Sequence, residues 1–371
     1  MKLTTETYGL MEGLSIVTRA LAARSAKPIF EGVLMEAGEE GLILTCSDGN
    51  MTIQTALPAM IEEEGRTVLP GRLFNDLARK LPGSAVTLKS EDGSRMSIRS
   101  ERFRSTLSGM NPMEYPEMPE VEPVVRIEMK AQELRDMISR TAFCVATDES
   151  RQTLNGVLLE VTANEMRMVA LDGFRLALRR AEGHYSIPEG ETKLRFVVPG
   201  RVMNEISRVL PDNDSDCALV LGKTHVRMEF GKTQMIAMLM AGEYIDYERI
   251  LPKTFLTETL SDKNEVEQAI NRASLLAREG KNNLVRMHFS EDKLVVDSNA
   301  EVGSSQDEVP ATVNGGAIDI AFNAKYISEA LRSISDEQLC MKFNANINPC
   351  VIEPKEGKAY LYLILPVRVR S

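Results

Sequence analysis

Three short segments of this chain repeat one chemical pattern position by position, which leaves few architectures open. Arg72 to Leu81 reads RLFNDLARKL, Arg201 to Leu210 reads RVMNEISRVL, and Lys325 to Ile334 reads KYISEALRSI. Each opens on a basic residue (Arg72, Arg201, Lys325). An acid follows four places on (Asp76, Glu205, Glu329), and an Arg seven places on (Arg79, Arg208, Arg332). Positions i, i+4 and i+7 share one side of an α-helix, so each segment is predicted to be an amphipathic helix with a polar stripe. The predicted apolar faces are Leu73, Leu77 and Leu81; Val202, Ile206 and Leu210; and Ile327, Leu331 and Ile334. Three such helices imply three copies of one domain.

The surroundings of each helix repeat as well. Helical spacing of apolar residues precedes them at Thr4 to Ala22, Ala131 to Val145 and Asn264 to Ala277, each with an Arg after a small polar residue: Arg19, Arg140 and Arg272. Then come an extended pair joined by a polar turn, and a further strand leading into the organising helix. The extended pairs are Ile29 to Met35 with Leu42 to Cys46, Leu154 to Val161 with Met166 to Leu171, and Leu284 to Phe289 with Lys293 to Asp297. Three more strands close each copy, ending at Phe103 to Leu107, Met235 to Met240 and Tyr360 to Leu365. Repeats this long are duplicated domains, since solenoid units recur every 20 to 50 residues or so. Junctions are expected near Pro112 to Pro123 and near Pro252 to Asp262, giving domains 1–121, 122–253 and 254–371.

At 371 residues the chain can build two or three cores, and 43% hydrophobic with 26% charged residues is ordinary globular composition. No apolar run approaches the roughly 18 residues of a membrane span, and the first residues lack the regions of a signal peptide; a cytoplasmic protein is expected. Cys46, Cys144, Cys217, Cys340 and Cys350 are scattered and odd in number, which favours reduced structural thiols over a disulfide or zinc framework. His184, His225 and His288 have no ligand or triad companions at motif spacing. Gly222-Lys223-Thr224 and Gly231-Lys232-Thr233 lack the earlier glycine of a phosphate loop and read as turns between strands. Neither a catalytic motif, a metal set nor a cofactor site stands out.

A formal charge of −10 argues against nucleic acid unless a local basic surface exists. The stripes supply one. On a single helix, Arg72, Asp76 and Arg79 would be read as solvated pairs worth about 0.2 to 0.5 kcal/mol each. A solvated face is free to drift after duplication, however, so its threefold recurrence suggests that all three helices meet one polyanion. The intervening acid leaves each triplet only mildly cationic, suited to loose contact.

The order of elements, together with LNGVLLE (Leu154 to Glu160), ALDGFRLA (Ala170 to Ala177), GEYIDYERILP (Gly242 to Pro252) and LPVRV (Leu365 to Val369), resembles the bacterial sliding clamp family, the β subunits of DNA polymerase III. The likeness spans essentially the whole chain. It implies an α+β fold of three repeated clamp domains, each with two helices packed on antiparallel sheets, forming half of a ring closed by a second, head-to-tail copy. Double-stranded DNA would pass through the hole, held by topology without sequence preference. This resolves the charge paradox, because a ring does not need tight binding. No active site of its own and no cofactor or metal is implied: the family serves as processivity factor for the replicative polymerase.

By position, the resemblance turns Arg72, Arg79, Arg201, Arg208, Lys325 and Arg332 toward DNA, with Arg19, Arg140 and Arg272 from the first helices and Arg24 and Lys27 from the following loop. A cleft for short peptides of the polymerase, the clamp loader and repair proteins would be built by Leu154, Gly173, Phe174, Arg175 and Leu176 with Arg249, Ile250, Leu365, Pro366, Val367 and Arg368, its walls apolar and its mouth marked by Arg. Without the resemblance, plain core packing is the reading for Leu176, Ile250 and Leu365. Phe103 and Ser105 of one copy would meet Leu275 and Leu276 of the other. The sequence departs from the family pattern at Leu171, Phe174 and Ile245, where Thr, His or Tyr, and Pro are usual, and Arg370 and Ser371 extend past the usual end. Two other readings stand beside the clamp: an enzyme with its site between domains, and a scaffold that binds only proteins.

Overall fold

The computed structural model describes residues 1–91, 95–148, 150–280 and 283–368. Among these are six α-helices, two per repeat: α1 (Thr7–Val17) and α2 (Gly71–Ala78), α3 (Ala131–Ser139) and α4 (Gly200–Val209), α5 (Lys263–Ala277) and α6 (Ala324–Arg332). The three organising segments are α2, α4 and α6, each entered directly from a strand: Gly65–Pro70, Leu194–Pro199 and Ile318–Asn323. Asn323 caps α6 by accepting the Lys325 amide, and Asp262 caps α5 by accepting the Glu265 amide.

The chain forms two compact units, Met1–Arg135 with Glu205–Leu239, and Asp136–Asn204 with Met240–Ser371. The first holds a five-stranded sheet in the order Ala59–Glu63, Lys2–Glu6, Ala85–Glu91, Arg95–Ser100, Phe103–Ser108. It also holds an eight-stranded sheet in the order Val125–Lys130, Asp216–Leu221, His225–Phe230, Thr233–Met238, Met51–Leu57, Gly41–Ser47, Gly32–Gly38, Gly65–Pro70. The second unit is built on one twelve-stranded sheet. Its order is Leu194–Pro199, Gly156–Val161, Glu165–Leu171, Arg175–Glu182, Tyr360–Ile364, Cys350–Glu353, Gln338–Phe343, Thr257–Asp262, Gly303–Gly315, Lys293–Ala300, Leu284–Ser290, Ile318–Asn323. The second repeat therefore gives strands to both units, continuing a sheet of the first repeat in one and of the third in the other. In each of these sheets the pairing across the repeat boundary is antiparallel.

Several sequence expectations shift. The first helix of the first copy starts at Thr7, later than periodicity suggests, because a strand precedes it, while those of the other copies start within a residue of expectation; the preceding strands are Lys2–Glu6, Val125–Lys130 and Thr257–Asp262. The last of these also occupies half of the expected second junction. Met51–Leu57, Ala59–Glu63, Arg175–Glu182 and Gly303–Gly315 are strands that the periodicity does not disclose. Alignment of the helix starts superposes buried Leu10, Leu134 and Val266, then Leu14, Ile138 and Ile270. On that frame Arg140 and Arg272 are equivalent but Arg19 lies almost one turn further on, in line with Phe143 and Leu275.

Leu73 is not part of the apolar face of α2. It is 53% exposed, while Phe74 and Ala78 are buried in its stead. The expected linker is also tacked down: Tyr115 is buried and donates to the Thr45 carbonyl, and Val121 packs with Val220 and Ile236. All five cysteines are free, and burial pushes the thiols of Cys46 and Cys350 well up, as expected of inert structural thiols. Among the described residues no helix is long and apolar enough to cross a membrane.

Candidate nucleic-acid and peptide interfaces

Arg72 and Arg79 on α2, Arg201 and Arg208 at α4, and Lys325 and Arg332 on α6 are all exposed. Exposed Arg24 and Lys27 lie in the loop after α1, and the Arg72 guanidinium reaches back to donate to the Ala23 carbonyl at 3.2 Å. The start of the first stripe is thereby placed beside that loop. The acid within each stripe has a different fate in each copy. Glu205 accepts from Arg208 at 2.7 Å and from Arg19 at 3.2 Å. Glu329 is ion-paired with Arg175. Among the described residues Asp76 has no ion-pair partner, although Arg72 and Arg79 flank it at helical spacing.

The arginines of the first helices are engaged. Arg140 has its side chain 22% exposed, pairs with Asp136 at 2.5 Å and donates to the Ser333 carbonyl and the Ser335 hydroxyl. Arg272 grips Asp307 with two bonds of 2.7 and 3.0 Å, which holds that carboxyl below the usual carboxylate range. A cavity of about 250 Å³ beside α6 is lined by Lys325, Arg332 and a further cation, Arg278, that the repeat pattern does not single out.

Leu154 and Leu176 are 5% and 1% exposed and belong to a buried cluster with Leu171, Leu178, Tyr244, Tyr247 and Leu363. They are core residues, as plain packing demands. Phe174, Ile250 and Leu365 are the exposed apolar side chains, and Pro366 and Val367 are half-buried. The Leu365 amide donates to the Phe174 carbonyl at 2.8 Å, and the Val367 amide to the Ala321 carbonyl at 2.7 Å. These bonds fix the tail beside the 172–175 turn. Arg249 and Arg368 are exposed, Arg249 pairing with Asp246.

Arg175 is not at the mouth. It is 7% exposed, with Nε on Asp172 at 3.0 Å, one Nη on Glu329 and the other on the Phe143 carbonyl at 2.9 Å. Its guanidinium carbon lies 4.6 Å from the centroid of the Tyr326 ring and 5.3 Å from that of Phe143, and Phe174 stacks on the same Tyr326. Asp172 Oδ1 accepts the amides of Phe174 and Arg175, which closes the turn. Gly173 within it has φ +91, and a Cβ there would meet Arg151 Nη1 at 2.1 Å. The site therefore needs glycine for both conformation and space.

Phe103 and Ser105 lie on Phe103–Ser108, an edge strand of the five-stranded sheet, and both are half-buried. Leu275 on α5 is 63% exposed, and Leu276 is half-buried. Among the described residues no group of three His, Cys, Asp or Glu is placed to hold a metal ion.

Three family profiles cover the chain in sequence: the DNA polymerase III beta subunit N-terminal domain at residues 1–119, its central domain at 128–246 and its C-terminal domain at 248–368. The chain belongs to the DNA polymerase III β-subunit family. The beta sliding clamp of Staphylococcus aureus is 32% identical over 96% of both chains. Among solved structures, a DNA polymerase sliding clamp from Bacillus subtilis matches with a TM-score of 0.95 at 31% identity over the full length of both chains. A putative DNA polymerase III beta subunit from Eubacterium rectale matches with a TM-score of 0.94 at 29% identity, again over both full lengths.

Within this β-subunit fold, the positions where the sequence departs from the family pattern differ in setting. Leu171 is buried in the apolar cluster, Phe174 rests on Tyr326, and Ile245 is exposed. Val369, Arg370 and Ser371 lie outside the described residues. Sequence reasoning missed Tyr326 and the inward pairing of Glu329. The aromatic character of Tyr326, where the equivalent positions hold Leu73 and Val202, was the one available signal.

Proposed function

We propose that this chain is a DNA sliding clamp, in which two copies join head to tail around duplex DNA and tether a replicative polymerase and other clients without chemistry of their own. The observation that carries the reading is a joint that occurs twice within the chain and has both halves ready for a third occurrence. The last strand of the second repeat pairs with the first repeat, Thr233 opposite Thr55. The last strand of the third repeat pairs with the second, Tyr360 opposite Arg179. The last strand of the first repeat, Phe103–Ser108, is bonded on one side only. Its counterpart in Gly303–Gly315 is open as well, because Thr257–Asp262 covers only positions 311–315.

Equivalent turns in the repeats support one register for this joint. Ser100 opposite Phe103 matches Phe230 opposite Thr233, which sets Phe103 in the place of Thr233. Leu42 opposite Leu57 matches Leu294 opposite Val309, with Pro58 and Pro310 next in line, which sets Asp307 in the place of Thr55. Phe103 of one copy thus faces Asp307 of another, and Arg102 and Arg104 come beside Asp307 and Glu308. A sheet edge left bare invites such pairing, and a heterologous joint of this kind closes a ring when its rotation fits.

The exposed cations of α2, α4 and α6 serve as weak, sequence-independent phosphate contacts on an otherwise acidic body. Phe174, Ile250 and Leu365 around the buried cluster suit apolar anchors of a short client peptide from the polymerase, the clamp loader or repair proteins. The test is retention after loading onto DNA: the clamp stays on closed circles and slides off linear ends. Equal rapid loss from both removes encirclement from the reading.

A further inference from the structure

The acid that recurs in the organising helices has a structural use at each joint. At the first, Glu205 of the second repeat accepts Arg19 of the first repeat at 3.2 Å. At the next, Glu329 of the third repeat accepts Arg175 of the second. Both times an arginine of the preceding repeat crosses to the acid of the following helix. Asp76, the equivalent acid of the first repeat, is exposed and has no ion-pair partner among the described residues. Its preceding repeat can only be the third repeat of another copy.

The position held by Arg19 in the first repeat is Phe143 in the second and Leu275 in the third. Phe143 lies at its joint, its carbonyl accepting Arg175. Leu275 is 63% exposed, and Arg278 lies one turn along the same face of the helix, exposed and without an ion-pair partner among the described residues. Arg272, one turn the other way, is held by Asp307. On the receiving side, Leu73 occupies the position of Tyr326, which at the joint of the second and third repeats is covered by Phe174 and Arg175. Leu73 and Leu275 are therefore two bare apolar side chains at matching halves of one joint.

We infer that Asp76 forms an inter-subunit ion pair with Arg278 of a second copy, above an apolar contact between Leu73 and Leu275. The pairing rests on the head-to-tail reading proposed above. It also gives the acid in the stripe a purpose other than moderating the field at DNA: it selects the neighbouring repeat.

The experiment is a charge swap in the full chain, read as the monomer–dimer dissociation constant by sedimentation over a dilution series. Asp76→Arg and Arg278→Asp are each expected to weaken the dimer by at least about tenfold, because a two-subunit ring contains the contact twice. The double variant restores opposite charges and is expected to return to within about threefold of the unaltered chain. Circular dichroism of each single variant shows whether its fold is intact. A dimeric unaltered chain whose single variants dimerise normally, or whose double variant is as weak as the singles combined, overturns the pair and leaves the ring standing. An unaltered chain that stays monomeric at high concentration overturns both.

Discussion

Buried Arg175 and half-buried Glu329 form an ion pair that ties the 172–175 turn to α6, and the same guanidinium also holds Asp172 and the Phe143 carbonyl. Removal of Glu329 leaves a buried cation with one acceptor fewer. Glu329→Ala is expected to lower unfolding stability by about 2 kcal/mol. It is also expected to weaken binding of a client peptide, because Phe174 rests on Tyr326 of the same helix. Arg332→Ala, an exposed change on the same helix, is the control. Urea denaturation and fluorescence anisotropy of a labelled peptide separate the two effects; equal behaviour of both variants refutes the link.

Gly173 is the second fixed point of that turn. Alanine there strains a backbone with φ +91 and pushes Arg151 off its 2.8 Å bond to the Asp172 carbonyl. The expected cost is about 1 to 2 kcal/mol, confined to the turn. Gly190, also at positive φ but with nothing near its absent Cβ, isolates the clash: Gly190→Ala retains the backbone strain without displacing a neighbour. Calorimetry and peptide titration of the two variants should show a larger loss of peptide affinity at 173. Matching losses would place the turn outside the peptide site.

The sequence carried the architecture better than the contacts. The triple recurrence located α2, α4 and α6 to within a few residues, because an amphipathic face must recur wherever a core recurs. Short polar strands such as Thr257–Asp262, TETLSD, were not legible, since their pairing partners supply the stability that their own composition does not. Leu73 was misassigned because apolar character does not say which of two adjacent residues turns inward; the larger ring of Phe74 takes the core. The exposure of the stripe cations follows from their helical spacing, opposite the apolar face. The destinations of Glu205 and Glu329 were not legible, because each is bonded by an arginine more than a hundred residues away in the chain.

Glu160 supplies a pH dependence. The carboxylate is 1% exposed and accepts from Tyr247 Oη, from Arg195 at 2.7 Å and from Lys193 at 3.3 Å. Burial works to raise its pKa, but the bonds from Tyr247 and Arg195 and the nearby cations outweigh it and hold the group below the ordinary glutamate value. A folded-state value below the unfolded one means stability that is present above the unfolded value, about 4.3, and is lost as pH falls through the folded one. Glu160→Gln is therefore expected to be less stable than the unaltered chain at pH 7, with the gap closing below about pH 4. Thermal melts across that range decide it, and a gap that persists unchanged at pH 3 rules the assignment out.

Contact with DNA has its own signature in salt. Each phosphate neutralised by a lysine or arginine releases counterions and adds roughly 0.9 to the slope of log affinity against log salt on duplex DNA. Exposed Arg79, Arg208 and Arg332 sit at the same position of their three helices. Replacing all three with Gln is expected to lower the slope for a short duplex by up to about 3. Arg140→Gln is expected to leave the slope unchanged and to cost stability instead, because its guanidinium is committed to Asp136, the Ser333 carbonyl and the Ser335 hydroxyl. Fluorescence anisotropy across a salt series, paired with melts, reads both. If Arg140→Gln lowers the slope while the triple variant leaves it intact, the cationic stripe is not the surface that meets DNA.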